Sequence, residues 1–414
     1  MKEEILMNID NPRQLEQLYR VDKQSFRQTF TTLYPNIKDK ALAAFWHERL
    51  SFTRQDVLFG NRKELALVII AAILAGLVAK LPAIFSLKED VFYQRNIGFI
   101  VFPLLSAYFA WKNRLSAMKS VGITSTILFG VLFINAFPNK ATSDTLLLSC
   151  AFLLLFLWAI LGFAFVGGKQ NDHEKRLSFL RYNGDLVVMT TLILIAGGIM
   201  SAITVGLFGL IGLKIEKIYF SYVGIFGLAA APIVGTYLTQ NNPHLVGKVS
   251  PVIAKIFSPL VLLMLVVYLV AMVYSGKDPY NDREFLMIFN ALLVGVMAII
   301  FFSVAGTSAT TRNPAQIWIL FLLSTVTIIV NGIALSAILF RISSLGITPN
   351  RAAVLGSNVI ILVNLFLVTA TLFKAVTNKD ALKSVGRSIS SYLPVYVVWA
   401  IIVTFIFPLV FGFK

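Results

Sequence analysis

Eleven stretches of the chain carry apolar residues almost without interruption: roughly 65–86, 92–111, 120–137, 145–166, 185–212, 217–238, 254–274, 285–305, 315–340, 351–373 and 392–411. Each approaches the ~20 residues that an α-helix needs to cross a hydrocarbon layer about 30 Å thick. Lipid offers a backbone no hydrogen bonds, so such runs are read as helices, which satisfy themselves. The pattern predicts an all-α fold, a polytopic transmembrane helical bundle of about 11 spans over residues 64–414. The run 185–212 is long enough to be tilted, kinked or interrupted.

Residues 1–63 break the pattern, with 11 basic and 8 acidic side chains in a near balance. Asn11-Pro12 reads as a helix cap followed by a first-turn proline, which has no donor to waste. Leu15, Leu18, Tyr19, Phe26, Phe30 and Leu33 then recur at helical spacing, and Pro35 is expected to end that helix. A second helix from near Lys38 carries Ala41, Leu42, Phe45, Trp46 and Leu50. The expectation is a small helical cytoplasmic segment whose two amphipathic helices pack on each other and on the membrane face. The opening residues MKEEILMNID lack a basic region followed by an apolar core, so no cleaved signal peptide is expected.

Composition agrees with the pattern and narrows it. Of 414 residues, 57% are apolar and 14% charged, with a mean hydropathy of +0.79. An ordinary soluble protein is about one-quarter charged, so a soluble enzyme, a disordered tail and a coiled coil are excluded. The net charge of +16 would suggest nucleic acid in a soluble chain. Here the basic residues lie in short loops between apolar runs, so the partner is the lipid bilayer and no nucleic acid is expected. Counting Lys and Arg in alternate connections gives 25 on one side and 10 on the other. Positive charge is retained inside, which predicts a cytoplasmic N-terminus and, after eleven crossings, a periplasmic C-terminus. The single cysteine, Cys150, lies within an apolar run and leaves no disulfide framework.

Candidate chemistry is sparse. No Asp or Glu falls near the middle of any predicted span, which argues against a proton pump. Lys80 is the ionisable group set furthest inside a run, and Arg95 stands near the start of the next. One reading pairs them as a site for an anion or lipid headgroup; the other has Lys80 snorkel to the interface. Small residues recur every four positions at Gly198, Ala202 and Gly206 and again at Gly227, Ala231 and Gly235. They suit close helix packing, or a hinge with Pro232 freeing a carbonyl. Prolines at Pro82 and Pro232, and at Pro103 and Pro259, fall at matching places if eleven spans divide as five, five and one, which hints at interrupted helices in inverted halves. Asn290, Asn331, Asn358 and Asn364 bond between helices or line a polar cavity. The loop Asp278–Glu284 offers three carboxylates, for which helix capping competes with cation binding. Three scattered histidines show no paired spacing, and no nucleophile stands beside a base. No metal, no cofactor and no enzymatic activity are therefore expected.

The stretch Arg341-Ile342-Ser343-Ser344-Leu345-Gly346-Ile347-Thr348-Pro349-Asn350-Arg351 resembles a signature, Arg-Ile-x-x-Tyr-Gly-Leu/Ile-Thr-Pro-x-Arg-Tyr, of a family of bacterial polytopic membrane proteins. That family carries a domain of unknown function. The segment Phe45–Leu50 is similar to the short cytoplasmic extension of its Bacteroidetes members. The resemblance extends over most of residues 60–414, with only the short motif specific; Leu345 and Ala352 stand where the family has tyrosine. It implies a helical bundle in a bacterial inner membrane and brings no activity with it. Physically, Gly346 can end one helix in a left-handed turn, Thr348 can cap the next and Pro349 can open it. Arg341 and Arg351 would flank this hairpin, anchoring to headgroups or clamping an anion. The functional expectation is a transporter-like protein binding or moving a small anionic or lipidic solute. The alternative is a scaffold whose N-terminal helices recruit a cytoplasmic protein.

Overall fold

The computed structural model describes residues 2–51, 61–138, 143–168, 172–210, 213–242, 249–275, 280, 283–306, 314–377 and 382–413. The chain forms two compact units, Met1–Phe59 and Gly60–Lys414.

The first unit contains α1 (Lys2–Met7), α2 (Pro12–Val21), α3 (Lys23–Ile37) and α4 (Ala41–Ser51). Asn11 caps α2 by accepting from Gln14 N at 3.3 Å. The break between α2 and α3 falls at Asp22, earlier than Pro35. Asp22 is extended (φ −145°, ψ 93°) and accepts from Ser25 N at 3.0 Å, which starts a new helix. Pro35 instead sits in the last turn of α3, and the helix ends two residues after it. The unit also has a core of its own, built from all four helices rather than two. Trp46 is 1% exposed, and its ring centroid lies 5.2 Å from that of Phe26 and 5.5 Å from that of Tyr19. Outside this core, Glu16 pairs with Arg20 and Arg49, each at 2.9 Å. The Arg20 hydrogen bond, joined by Arg49, holds the Glu16 carboxyl below its usual range against the opposing effect of burial.

The second unit is all helix in its described residues. It runs through α5 (Arg62–Ile84), α6 (Glu89–Lys112), α7 (Ala117–Asn135), α8 (Asp144–Val166), α9 (His173–Leu210) and α10 (Glu216–Tyr219). A π-helical turn (Phe220–Gly224) leads into α11 (Ile225–Asn241). Then follow α12 (Val249–Ser275), α13 (Arg283–Gly306), α14 (Pro314–Leu345), α15 (Pro349–Thr377) and α16 (Leu382–Ile401). A second π turn (Ile402–Ile406) leads into α17 (Phe407–Val410).

Every one of the eleven apolar runs is helical, but the span count is corrected. Among the described residues, eight helices are long and apolar enough to cross a membrane. Within α12 and α13 the described apolar segments are Ile256–Val270 and Phe289–Ala305, and α6 carries too many polar positions, among them Arg95, Asn96 and Lys112, to join the eight. Nor are the helices interrupted where proline suggested. Pro82, Pro103, Pro232, Pro259 and Pro394 all lie inside helices that continue past them, because in lipid the rest of the helical backbone has no better partner than itself. Residues 185–210 of the run 185–212 likewise lie in one unbroken helix, α9, of 38 residues. The irregular backbone lies at the π turns.

Neighbouring helices alternate in direction. At one end of the unit Lys112 Nζ meets Glu64 at 3.1 Å, Asn113 donates to the Ala164 and Phe165 carbonyls, and Lys119 donates to Gly168 O. At the opposite end Arg95 reaches the Phe137 carbonyl and Ser143 Oγ donates to Phe413 O at 3.4 Å. The start of α5 and residue 413 therefore lie at opposite ends. Two apolar cores fill the interior, one among α5–α8 and α11 and one among α12–α16. Trp158 packs against both and donates to Asn183 Oδ1 at 3.0 Å.

Candidate functional site

A groove of about 1130 Å³ lies between the start of α5 and facing sides of α6 and α7. Helical spacing builds its walls. Pro103, Ala107 and Ala110 share one side of α6, with Arg114 just past its end, while Ser120, Thr124, Ile127 and Leu128 share one side of α7. The alanines keep the wall thin, so space remains between the two helices. The groove is polar at one end, where Lys63, Glu64, Lys112 and Arg114 gather, and apolar at the other, where Pro103, Ile123, Ile127 and Leu128 line it.

The polar end is built with care for its charges. Glu64 is 7% exposed, and a buried carboxylate is stable only with partners. Tyr108 OH donates to its Oε1 at 2.5 Å and Lys112 Nζ donates to the same oxygen at 3.1 Å. Lys112 also donates to Tyr108 OH at 3.0 Å, closing a triangle. Tyr108 and Lys112 are four residues apart on α6, so one helix face brings both to Glu64. Asn113 and Arg114 then end α6. Arg114 takes a left-handed backbone (φ 50°), and Asn113 ties the turn to α8. Lys63 and Arg114 are exposed, with no carboxylate partner among the described residues. The groove thus offers two free cations and a third held by Glu64 at the head of an aliphatic cleft.

The cations singled out from the sequence are engaged elsewhere. Arg95 is 6% exposed; its Nη1 donates to the Ile134, Asn135 and Phe137 carbonyls at 3.4, 3.4 and 3.1 Å. These close the carboxyl end of α7, where backbone acceptors have no helical partner and the dipole favours a cation. Lys80 lies over the Tyr222 ring, 4.4 Å from its centroid. Its neighbour carbonyl, Ala79 O, accepts from Tyr93 OH. Lys80 and Arg95 are therefore not drawn into one site. Arg341 Nε donates to Tyr280 O at 3.1 Å. Arg351 Nη1 donates to the Leu345 and Gly346 carbonyls at 2.9 and 2.8 Å, capping α14. In the same turn Gly346 has φ 77°, Thr348 Oγ1 accepts from Arg351 N and Pro349 begins α15.

The small-residue stripes part company. An added Cβ at Gly198 or Gly206 on α9, or at Gly227 on α11, would meet nothing within 4 Å, and Ala202 is exposed, so these small residues are not tightly packed against another helix among the described residues. Ala231 and Gly235 are buried; a Cβ at Gly235 would stand 3.0 Å from Thr190 Oγ1. Pro232 O accepts from Thr236 Oγ1 at 2.9 Å. Two of the in-span asparagines bond between helices through their side chains: Asn331 Nδ2 donates to the Asn358 backbone carbonyl at 3.1 Å, and Asn364 Nδ2 donates to Tyr396 OH at 2.8 Å. The loop Asp278–Glu284 lies mostly outside the described residues.

In the sequence Glu64 is only a charge at the edge of the first apolar run. The Tyr108–Lys112 spacing was a visible signal, but it names no partner, and Glu64 stands 44 residues away from Tyr108.

The helical bundle with its candidate spans defines an integral, multi-pass membrane protein in contact with a lipid bilayer. Compared with known proteins, the chain matches no family model, no curated protein and no solved structure.

Proposed function

We propose that this chain is transporter-like and that the groove between α6 and α7 takes up a solute with an anionic head and an aliphatic tail. The observation that carries the reading is the polarity of one cleft, with Lys63, Lys112 and Arg114 at one end and Pro103, Ile123, Ile127 and Leu128 at the other. Such a gradient matches a lipid or lipid-like molecule lying along a helix pair, its head in the interface and its chain in hydrocarbon. Glu64 holds Lys112 in place without a ligand, and an arriving phosphate or carboxylate competes for that ammonium. Trp111 beside the mouth suits the interfacial layer.

The same proposal sets the protein in a bacterial inner membrane, with the basic end of the groove cytoplasmic. The charge bias of 25 against 10 supports that sidedness. Membership in the bacterial family resembled at Arg341–Arg351 belongs to this proposal too, resting on the motif. A second reading, a scaffold recruiting a cytoplasmic protein through residues 2–51, draws on the self-contained core there and on exposed Phe45, Met7 and Val21.

The test uses the full-length protein in liposomes, with fluorescent phosphatidylglycerol and phosphatidylcholine as probes of binding and of movement between leaflets. Removing a basic residue near the surface weakens anion binding by about 1 kcal/mol, roughly fivefold. K112A and R114A should each lower phosphatidylglycerol binding by that factor and spare phosphatidylcholine. Equal phosphatidylglycerol binding by wild type and the double variant removes the groove reading, and movement no faster than in protein-free liposomes removes transport.

A further inference from the structure

The sides of α5 and α11 that face each other meet in antiparallel register. Ala72, Gly76 and Lys80 recur every four residues along α5, and their counterparts on the other chain segment are Ala230, Phe226 and Tyr222. The middle pair sets the spacing. A Cβ at Gly76 would stand 2.1 Å from Phe226 Cδ1, so only glycine lets the ring lie flat on α5. Either side of that contact the helices leave something unfilled. Towards the centre of the bundle runs an apolar notch of about 540 Å³, lined by Ala72, Ile73, Val223, Gly227 and Ala230, with Tyr222 at its edge. Ile73, Tyr222 and Val223 are 50%, 59% and 53% exposed, so the notch opens sideways, where hydrocarbon lies. Towards the end of α5 stands Lys80.

Lys80 is half-buried and lies four residues before the last residue of α5. No carboxylate pairs with it among the described residues; its described contact is the face of Tyr222 at 4.4 Å. A ring face attracts a cation without neutralising it, so the ammonium keeps an unmet charge at a depth from which its stem reaches the headgroup layer. Tyr222 belongs to the π turn Phe220–Gly224. Such turns carry an extra residue that re-aims the side chains around it, and they recur at functional sites.

We infer that Lys80, Tyr222 and the notch hold one anionic phospholipid, its phosphate on the ammonium and one acyl chain along Ala72, Gly227 and Ala230. Charge complementarity selects the head, since no carboxylate among the described residues pairs with the Lys80 ammonium. The notch selects the source, because free phosphate would leave an apolar cleft with nothing in it. The site sits at the opposite end of α5 from Glu64 and does not depend on the groove proposed above.

The experiment measures lipids retained by the purified full-length protein, by native mass spectrometry after reconstitution in equal amounts of phosphatidylglycerol and phosphatidylcholine. K80Q should lower the retained ratio of phosphatidylglycerol to phosphatidylcholine about fivefold, and K80R should keep it. G227L, at a position with open space around a new Cβ, should fill the notch and lower retention of both lipids while the protein stays folded. K112A should leave this lipid in place. A ratio unchanged in K80Q, or wild-type retention in G227L, overturns the inference. Loss in K112A with K80Q unaffected assigns the lipid to the groove and overturns it equally.

Discussion

Arg95 and Arg351 each close the carboxyl end of a helix, and they differ in how much water reaches them. Arg95 is 6% exposed and serves three carbonyls of α7 from a neighbouring helix. Arg351 is half-buried and serves two carbonyls at the end of α14, the helix just before it in sequence. Where water is excluded, removing a charged donor leaves acceptors with nothing in its place, at about 1.5–3 kcal/mol. Where water enters, the loss falls to about 0.3–1 kcal/mol. R95A should therefore lower unfolding stability in detergent by about 2–3 kcal/mol and R351A by about 1 kcal/mol or less. Equal losses would mean that Arg95 is not a buried cap. At this scale much was readable in advance. Asn11-Pro12 and the run Gly346–Pro349 follow local rules, because a cap, a left-handed glycine and a first-turn proline act within four residues. The partners of Arg95 were not readable, since they lie about 40 residues away.

Glycines within these helices behave differently here, and the sequence gives no warning of it. Gly198 faces open space, whereas a Cβ at Gly356 would stand 2.1 Å from Trp399 Cζ2. Trp399 is held in place by its own bond to Ser357 Oγ at 2.9 Å, so it does not move aside cheaply. G356A should cost about 1–3 kcal/mol through overpacking, while G198A should change stability by about 0.5 kcal/mol or less. Thermal unfolding of both variants in one detergent checks the contrast, and a cost at Gly198 equal to that at Gly356 would show that α9 packs on more than lipid. Proline is the second lesson of this scale. Pro82, Pro103, Pro232 and Pro259 hinted at breaks, yet their helices continue, while π turns form at Phe220–Gly224, which no proline marks, and at Ile402–Ile406, just ahead of Pro408. A helix in lipid tolerates one missing bond more readily than a free end, so proline alone does not locate an interruption.

For the whole molecule the central prediction is its threading. The alternation of neighbouring helices places the start of α5 and residue 413 at opposite ends of the second unit. With the charge bias, reporter fusions should place a tag before residue 62 in the cytoplasm and a tag after residue 413 in the periplasm; both tags on one side would contradict the alternation. Eight helices meet the length and apolarity of a span on their own. Among the other apolar runs, α6 depends on neighbours, giving Arg95 to α7 and Lys112 to Glu64. The sequence by itself determined that this is a helical membrane protein, because transfer of apolar residues into lipid is a sum over a local stretch and needs no knowledge of neighbours. It also determined the capped turns, for the same reason of locality. Only the tertiary structure decided which cations remain available to a ligand. Arg95, Arg341 and Arg351 look as free in sequence as Lys63 and Arg114, and what separates them is whether a carbonyl from elsewhere in the chain arrives within hydrogen-bond distance.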